Sequence, residues 1–230
     1  MPFRTRNLSD LVGPVEKRVA GLRGQRAVLV AISGIDSSGK GYVAARLAEE
    51  LTARGINPAV INIDPWHLPQ TVRFSESDPG GHFYRNTFRW DDFFRLLIEP
   101  LRAARSIHLS TRLIEIARDR YYDYTYDFRE VDAILLEGIF VLKREFRELY
   151  DLRYWVECSF QTALARALAR NQEGLPPEEI ARDYRRIYFP AQRVHFAEDD
   201  PVAHSDAIYE NDDVRLPGVI EPSRAQAAGD

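Results

Sequence analysis

Largely apolar runs alternate along this chain with segments whose apolar residues recur at helical spacing. Such runs are typical of parallel strands that are buried on both faces of a sheet. The clearest run is 27–33, and largely apolar segments at 59–63, 131–140 and 152–157, with a shorter one at 206–209, also predict strands. Helical spacing predicts helices at 8–22, between the first run and Gly55, and at 91–105, 143–150, 160–171 and 177–195. This alternation predicts a three-layer α/β fold, with a mainly parallel sheet and helices on both faces.

Two segments interrupt the alternation. Residues 65–89 combine prolines, glycines, aromatic residues and charges without a stable period, which predicts a long functional loop. Residues 108–128 contain two stretches of alternating character and predict either a hairpin or another excursion of the chain. We expect a single domain over 1–215, with its core at about 26–213. A flexible tail is expected at 216–230, where proline, glycine, alanine and charged residues are frequent.

Composition and charge narrow the class of protein. The net charge is -4 over 230 residues, so the chain has no general attraction for nucleic acid or for acidic membranes. No run approaches the roughly 20 apolar residues of a membrane span. Cys158 is the only cysteine, which excludes an internal disulfide and favours a reducing compartment. We therefore expect a cytoplasmic protein without nucleic-acid or membrane partners, and the sequence leaves a homo-oligomer open.

A glycine-rich segment joins the first apolar run to the helix that follows it. The segment matches the phosphate-binding P-loop pattern at both glycines and at Lys40. In that pattern, backbone N–H groups and the helix start surround phosphates, and the lysine ammonium balances their charge. The alternative is a simple turn, which the buried strand before it and the amphipathic helix after it disfavour. The residues expected to bind phosphate are Gly34, Asp36, Ser37, Ser38, Gly39, Lys40, Gly41 and Tyr42.

Gly41 stands where a serine or threonine usually provides a hydroxyl for Mg²⁺. The ion must therefore be held by phosphates, water and other side chains, of which Asp36 and Ser38 are near in sequence. Asp36 is open to two interpretations, a metal or substrate ligand and an aspartate that caps the turn. Together, Asp36, Lys40 and Gly41 resemble the corresponding loop of polyphosphate-using nucleotide kinases.

Two carboxylates accompany the buried strands. Asp64 follows the second strand directly, and Glu137 lies within the run at 131–140. Ligands bind outside the carboxyl ends of strands in open α/β sheets, so both side chains are expected at one crevice. Asp64 can accept the proton of an acceptor hydroxyl or contact a metal, and Glu137 can hold Mg²⁺ and its waters. The alternative for each is a carboxylate that only ends a strand.

Three further motifs occur in order along the chain. They are Asp64-Pro65-Trp66-His67, then Leu135-Leu136-Glu137-Gly138-Ile139, and then Tyr184-Arg185-Arg186 through Phe189-Pro190-Ala191 to Ser205-Asp206-Ala207. With the P-loop, they resemble the uridine kinase and phosphoribulokinase group over most of residues 26–213. The resemblance implies a P-loop NTPase fold, ATP and Mg²⁺ as cofactors, and a small molecule with a hydroxyl as the phosphoryl acceptor. It also implies that Trp66 and His67 lie near that acceptor.

The chain departs from this group where the group recognises a ribonucleoside. Tyr84 and Arg85 fall near the ribose-binding aspartate of the group, and Ile114 and Asp119 fall near its base-reading pair. These differences predict that uridine and cytidine are not the best acceptors. Nearby arginines favour an acceptor that carries a carboxylate or a phosphate, unless they are only surface residues. They are Arg85, Arg118 and Arg120.

Arginines recur in the helical segments between residues 166 and 195, which predicts a lid. In P-loop kinases such arginines neutralise the transferring phosphoryl group, and Arg186 is the candidate for that catalytic role. The alternative is a solvated helix face that pairs with acidic neighbours. The arginines concerned are Arg166, Arg170, Arg182, Arg185, Arg186 and Arg193.

These features together predict an ATP-dependent kinase that phosphorylates a hydroxyl of a small molecule. In this hypothesis Lys40 and the loop hold the phosphates, Asp64 activates the hydroxyl, and Glu137 helps to hold Mg²⁺. Two other hypotheses remain open. A catalytically inactive nucleotide-binding module is suggested by Gly41, and a phosphotransferase that acts on a nucleotide or uses polyphosphate is suggested by Asp36 with Lys40 and Gly41.

Overall fold

A computed structural model describes residues 1–171 and 174–212 of the chain. Within these residues, the larger sheet has six parallel strands, in the spatial order first, eighth, seventh, second, sixth and third along the chain. The fourth and fifth strands form a separate antiparallel hairpin, which was one of the two alternatives predicted for this segment. The strands are β1 (Phe3–Thr5), β2 (Val28–Gly34), β3 (Pro58–Asn62), β4 (Ile107–Glu115), β5 (Arg120–Phe128), β6 (Ala133–Glu137), β7 (Leu152–Glu157) and β8 (Ala207–Glu210).

Helices connect the strands of the larger sheet. The α-helices are α1 (Ser9–Leu22), α2 (Lys40–Ala53), α3 (Gln70–Arg73), α4 (Pro79–Asn86), α5 (Trp90–Asp92), α6 (Glu99–Ala104), α7 (Phe160–Arg170), α8 (Pro177–Asp183) and α9 (Phe189–Asp199). Short 3₁₀ segments lie at Asp64–Trp66 and Arg144–Leu149, and π-helical segments lie at Phe93–Ile98 and Tyr184–Tyr188. In the described part of the chain, no helix has both the length and the apolar character to cross a membrane.

The larger sheet is buried on both faces, because successive side chains of a strand point to opposite sides. In β2, Leu29 and Ala31 contribute to one hydrophobic cluster, and Val28, Val30 and Ile32 contribute to another. The second cluster includes apolar residues of α1 and α2, whereas the first includes apolar residues of α4 to α9. This arrangement confirms the predicted three-layer fold.

The strand register brings the candidate chemical groups to one edge of the sheet. Ile32 of β2 and Asn62 of β3 both pair with Glu137 of β6, which lies between them. The chain leaves β2 through the glycine-rich loop and leaves β3 at Asp64, so the loop, Glu137 and Asp64 meet at the carboxyl ends of three adjacent strands. Ligands bind at this edge in open parallel sheets.

Both π-helical segments end immediately before a residue that precedes a proline. Phe93–Ile98 lies before Pro100, and Tyr184–Tyr188 lies before Pro190. A proline lacks an N–H group, and its ring clashes with the carbonyl four residues earlier in an α-helix. The wider turn of a π-helix changes that spacing locally. The helical path therefore continues through Pro190 from α8 into α9.

The predicted loop at 65–89 is wrong, because this segment contains α3 and α4. These helices have four and eight residues, too few to show a periodic apolar stripe in the sequence. The predicted helix at 143–150 is a 3₁₀ segment, and β1 was not predicted. The predicted tail at 216–230 lies outside the described residues.

Candidate active site

The glycine-rich loop between β2 and α2 follows a path that two glycines permit. A Cβ atom at Gly34 would overlap Ser38 Oγ and would come within 2.6 Å of the Val156 carbonyl oxygen. Gly39 has a φ angle of +93°, in the left-handed region, and it immediately precedes Lys40, the first residue of α2. The first N–H groups of α2 have no partner within the helix, so the loop and the helix start can together receive an anion.

The carbonyl of Ser38 is held from outside the loop. Asn211 Nδ2 donates to this oxygen at 2.7 Å, and Arg166 Nη1 donates to it at 3.2 Å. Arg166 Nη2 also donates to the carbonyl oxygen of Asn211 at 2.8 Å. The segment after β8 and helix α7 thus fix the loop at Ser38. This second layer of contacts was not predicted, because the three residues lie far apart in the sequence.

Asp36 is hydrogen-bonded to a tyrosine of the π-helical segment before α9. Tyr184 Oη donates to Asp36 Oδ2 and lies 2.9 Å from Ser37 Oγ, while Ser37 N donates to Asp36 Oδ1 at 2.9 Å. Burial, with the neighbouring Asp36 carboxylate, raises the pKa of Tyr184, so its hydroxyl remains a donor. The hydrogen bond from Ser37 N to Asp36 Oδ1 caps the turn, which is one of the two roles that the sequence left open for Asp36. The hydrogen bond from Tyr184 to Asp36 connects the loop to the helical segment between α8 and α9.

Three carboxylates and one ammonium group influence one another at the strand edge. Glu137 is buried, and desolvation raises its pKa to about 7; the charge of Lys40 opposes this shift, and Asp64 and Asp36 add to it. Lys40 is buried as well, and its Nζ lies 3.5 Å from the carbonyl oxygen of Ile35. The negative charge at this edge exceeds the positive charge, so a further cation would stabilise it.

The oxygen donors at this edge fit Mg²⁺. Asp36, Asp64 and Glu137 supply carboxylate oxygens, and Ser38 Oγ is buried and has no hydrogen-bond partner among the described residues. Among residues 1–171 and 174–212, no three acidic, histidine or cysteine side chains form a complete metal site. Nucleotide phosphates and water would therefore have to complete the coordination, as Mg²⁺ sites in kinases commonly require.

Asp64 is fixed by the residues around it in the turn after β3. Its backbone N–H donates to Asn62 Oδ1 at 2.6 Å, and its carbonyl oxygen contacts Nδ1 of His67. Burial lowers the pKa of His67, although the nearby Asp64 carboxylate opposes the shift, so the ring is neutral at pH 7. The turn leaves the Asp64 carboxylate at the cleft while its backbone groups are satisfied.

One cleft of about 460 Å³ connects the loop with Asp64. A volume of this size is typical of small-molecule sites. The loop forms one end, His67 and Arg73 of the segment after β3 line another part, and the rest comes from several elements, among them Gln192 of α9. The cleft is lined by Asp36, Ser37, Gly39, Lys40, Gly41, Tyr42, Asn62, Asp64, His67, Arg73, Phe83, Ile116, Glu137, Ile139, Arg170, Tyr188 and Gln192.

Solved structures with this architecture include kinases of several kinds. A protein assigned as a fructose transport system kinase from Silicibacter sp. TM1040 matches with a TM-score of 0.67 and 22% identity, over 89% of this chain and 99% of that one. A possible uridine kinase from Bacillus stearothermophilus matches with a TM-score of 0.64 and 17% identity, over 87% and 99%. The chain has the fold of the P-loop kinases.

The likeness extends to a further kinase, whereas no protein-family model matches the chain. D-glycerate 3-kinase from Cryptococcus neoformans var. grubii matches with a TM-score of 0.60 and 12% identity, over 80% of this chain and 86% of that one. At these identities the comparisons establish the fold alone. The chemistry of the site depends on the residues of this chain.

The structure brings together most of the residues expected to carry the chemistry. Lys40, Asp64, His67 and Glu137 line the same cleft as Asp36, Ser37, Gly39, Gly41 and Tyr42 of the loop. Gly34 and Ser38 are fully buried and lie behind them, where they support the loop.

Two aromatic residues that were expected near the acceptor lie in the core instead. Trp66 is fully buried, stacks on Tyr126 and donates to Tyr126 Oη at 3.1 Å. Tyr84 is 4% exposed and donates to Asp199, which also contacts His195. Neither residue lines the cleft. Aromatic residues at such positions suit a pocket wall and a core equally well, so the sequence could not distinguish the two.

Four arginines that were expected at the acceptor or the transferring phosphoryl group are paired with acidic residues outside the cleft. Each has more than half of its side chain exposed to solvent. The pairs are Arg85 with Asp78, Arg118 and Arg120 with Glu115, and Arg186 with Glu76. Of the predicted lid, Arg170 borders the cleft.

Arg73 and Gln192 are cleft residues that the sequence did not indicate. Arg73 is the last residue of α3, inside the segment that was expected to be a loop, and Gln192 lies on α9. Both are buried, at 3% and 1% exposure. A signal was available for Gln192, since it follows the Phe189-Pro190-Ala191 motif by one residue. Nothing in the local pattern marked Arg73.

Proposed function

We propose that this chain is an ATP-dependent kinase that transfers the γ-phosphoryl group to a hydroxyl of a small molecule. The observation that carries the proposal is the single cleft in which the P-loop and Lys40 lie at one end and Asp64 borders the same space. Phosphoryl transfer requires positioning and charge compensation more than covalent participation by the protein, and this arrangement supplies both. The similar structures are named for uridine, fructose and glycerate kinases, and all three compounds carry hydroxyl groups.

The loop and Lys40 would bind the phosphates of the donor. Loop and helix N–H groups would donate to phosphate oxygens. The Lys40 ammonium, which acts on the Glu137 carboxyl in the nucleotide-free protein, would balance the negative charge of the phosphates. Contacts from Asn211 and Arg166 to Ser38 hold the loop in shape before the nucleotide arrives. Preorganised donors cost no rearrangement when charge develops during transfer.

Asp64 would act on the acceptor. Its carboxylate can accept or orient the proton of the attacking hydroxyl, and the neutral ring of His67 stabilises the turn that carries it. Mg²⁺, held by phosphates with Glu137, Asp36 or Asp64, would neutralise charge on the phosphoryl oxygens. The buried residues around the cleft would limit the access of water to the reaction.

An ADP-release screen tests the proposal. Nucleosides, sugars, polyols, hydroxy acids and vitamin precursors are supplied with ATP and Mg²⁺, and ADP formation is measured. With the best acceptor, Asp64→Asn should lower kcat by about 10²-fold or more and change ATP affinity little, because a proton acceptor is lost. Asp123→Asn, on the exposed hairpin, is the matched control. An unchanged kcat in Asp64→Asn would contradict the assigned role.

A nucleotide-binding module without turnover is the second candidate, and Gly41 favours it. No hydroxyl follows Lys40, so this position of the loop offers the metal no ligand. Binding of ATP without ADP release for any acceptor class would support this candidate. The combination of Asp36, Lys40 and Gly41 also suggests polyphosphate as an alternative phosphoryl donor. Adding polyphosphate in competition with ATP tests this alternative.

A further inference from the structure

Arg73 is a buried cation in the wall of the cleft. It ends α3, is 3% exposed, and lines the cleft with Asp64 and His67. Arginine is almost never buried to this extent unless its charge is paired, because removal from water is costly. The partners of this buried guanidinium therefore determine whether its charge is compensated within the protein.

Within the described residues, Arg73 has no hydrogen bond that satisfies its side chain. Its Nε is buried without a partner, and its ion pair with Asp119, at 3.7 Å from Nη2 to Oδ1, is too long for a hydrogen bond. The Asp119 carboxylate instead accepts from the backbone N–H of Gln70 at 3.0 and 3.1 Å. The ring of Phe74 lies 5.1 Å from the guanidinium carbon. Burial lowers the pKa of Arg73, which agrees with incomplete compensation of its charge.

The position of Arg73 places it on the acceptor side of the cleft. The groups that act on its charge are the phenol of Tyr188, which also lines the cleft, and the carboxylates of Asp119 and Asp64. The ammonium of Lys40 acts instead on Glu137 beside the loop. Gln192, on α9, also lines the cleft; it is 1% exposed, and its Oε1 is buried without a partner among the described residues. The cleft thus offers a cation with free donors and an unpaired carbonyl oxygen.

We propose that the acceptor carries a carboxylate or a phosphate, which Arg73 binds, together with a hydroxyl or N–H group that donates to Oε1 of Gln192. This inference rests on the proposed kinase function and specifies its substrate class. A guanidinium pairs with either anion through two parallel hydrogen bonds, and the desolvated setting makes those bonds strong. The anion would accept hydrogen bonds from the N–H groups of Arg73 that lack a partner. The positive charge of Arg73 would in turn reduce the repulsion between the anion and the Asp64 carboxylate. Arg85, Arg118 and Arg120 are exposed and lie outside the cleft, so they offer no comparable site.

Matched acceptor pairs test the inference. Hydroxy-carboxylates are compared with their neutral amides, and sugar phosphates with the parent sugars, by kcat/KM at saturating ATP and Mg²⁺. The charged member of the best pair should exceed its neutral partner by about 10-fold or more, since hydrogen bonds to a charged group are lost in the neutral one. The two kinds of pair distinguish a carboxylate from a phosphate. A neutral acceptor that exceeds every anionic one would overturn the inference and leave the kinase function intact.

Arginine variants then assign the effect to this side chain. Arg73→Gln should lower kcat/KM for the anionic acceptor by about 10- to 100-fold, with the neutral partner and the KM for ATP changed by less than about threefold. Arg73→Lys should recover part of the loss, because charge is kept and the fork is not. Arg118→Gln, at an exposed pair with Glu115, is the matched control. A rise in the KM for ATP with unchanged acceptor kinetics would place Arg73 on the donor side and contradict the inference.

Binding provides a readout that does not need turnover. With a non-hydrolysable ATP analogue and Mg²⁺ present, each anionic compound is tested for a rise in the melting temperature of the wild type and of Arg73→Gln or, if that variant does not fold, Arg73→Lys. A rise for an anionic compound that is weakened in the variant supports the inference even where no ADP is released. The absence of any rise with every anion, in a wild type that binds the analogue, overturns it. Failure of the kinase function alone would appear as this rise without ADP release.

Discussion

At the scale of single residues, Gly41 is the position where the loop differs from the usual P-loop pattern. A Cβ atom added there would lie 3.5 Å from Glu137 Oε1, an ordinary van der Waals contact, so a side chain fits without displacing its neighbours. Gly41→Ser would place a hydroxyl beside Glu137, where it can serve the same cation. We expect this variant to need about threefold less Mg²⁺ for half-maximal activity, as a further oxygen ligand would allow.

Gly41→Ala is the matched control for this prediction, because it adds the Cβ atom without the hydroxyl. The Mg²⁺ dependence of ADP release is measured for the wild type and both variants. Equal behaviour of the serine and alanine variants would show that the metal does not lie near residue 41.

Glu137 gives the site a predicted dependence on pH. Burial raises its pKa to about 7, from an ordinary value of 4.5. The folded, metal-free protein therefore holds a proton that the unfolded chain has already lost between these values, and its stability falls as pH rises through 4.5 toward 7. A cation binds the ionised carboxylate, so Mg²⁺ affinity should rise with pH over the same region and level off above about pH 7.

Thermal unfolding between pH 5 and 8, with and without Mg²⁺ and a non-hydrolysable ATP analogue, measures both effects. The apparent affinity for Mg²⁺, obtained from its stabilising effect, should rise by up to about tenfold for each pH unit below pH 7. Glu137→Gln cannot titrate and should lose most of this dependence. An equal dependence in Glu137→Gln and the wild type would assign it to another group.

At the scale of elements, the π-helical segment before α9 is tied to the loop through Tyr184. Its hydroxyl donates to Asp36 and contacts Ser37, while its ring packs against Tyr188 and Phe189. Tyr184→Phe keeps the ring and removes the hydroxyl. We expect a loss of about 1–2 kcal/mol in the free energy of unfolding and about a three- to tenfold weaker affinity for ATP, since Asp36 loses a buried donor.

Calorimetric titration with ATP and thermal unfolding check this prediction together. Tyr124→Phe, on the hairpin and 44% exposed, removes a hydroxyl from a tyrosine outside the loop contacts and should leave both quantities unchanged. If Tyr184→Phe lowers stability and leaves ATP affinity unchanged, the contact stabilises the fold without shaping the loop.

At the scale of the whole molecule, the architecture follows from local pattern. The apolar run at 152–157 coincides with β7, Leu152–Glu157, and the run at 27–33 lies within one residue of β2, Val28–Gly34. A strand buried on both faces is mostly apolar, and in β7 the only charged residues are Arg153 and the terminal Glu157, so the bounds of the strand are visible in the sequence. The hairpin was visible for the related reason that alternation marks its two strands.

The cleft was only partly visible, because its residues come from distant segments. Lys40, Asp64 and Glu137 could be placed together, since each follows or ends a strand and parallel strands share a carboxyl edge. Arg73 could not, because its position depends on how a four-residue helix packs under the cleft. The contact between Tyr184 and Asp36 joins residues 148 positions apart, and no local pattern records such a pairing.

The proposed transfer of the γ-phosphoryl group of ATP to a small hydroxyl compound is tested most directly by following that group. ATP labelled at the γ-phosphate is incubated with Mg²⁺ and pooled acceptors, and the label is traced to organic phosphate esters or to inorganic phosphate. The wild type should place the label in an ester. Lys40→Met, which removes the buried ammonium of the loop and keeps an unbranched side chain, should reduce that transfer by about 10²-fold or more. Label found only in inorganic phosphate, or equal transfer by Lys40→Met, would contradict the account.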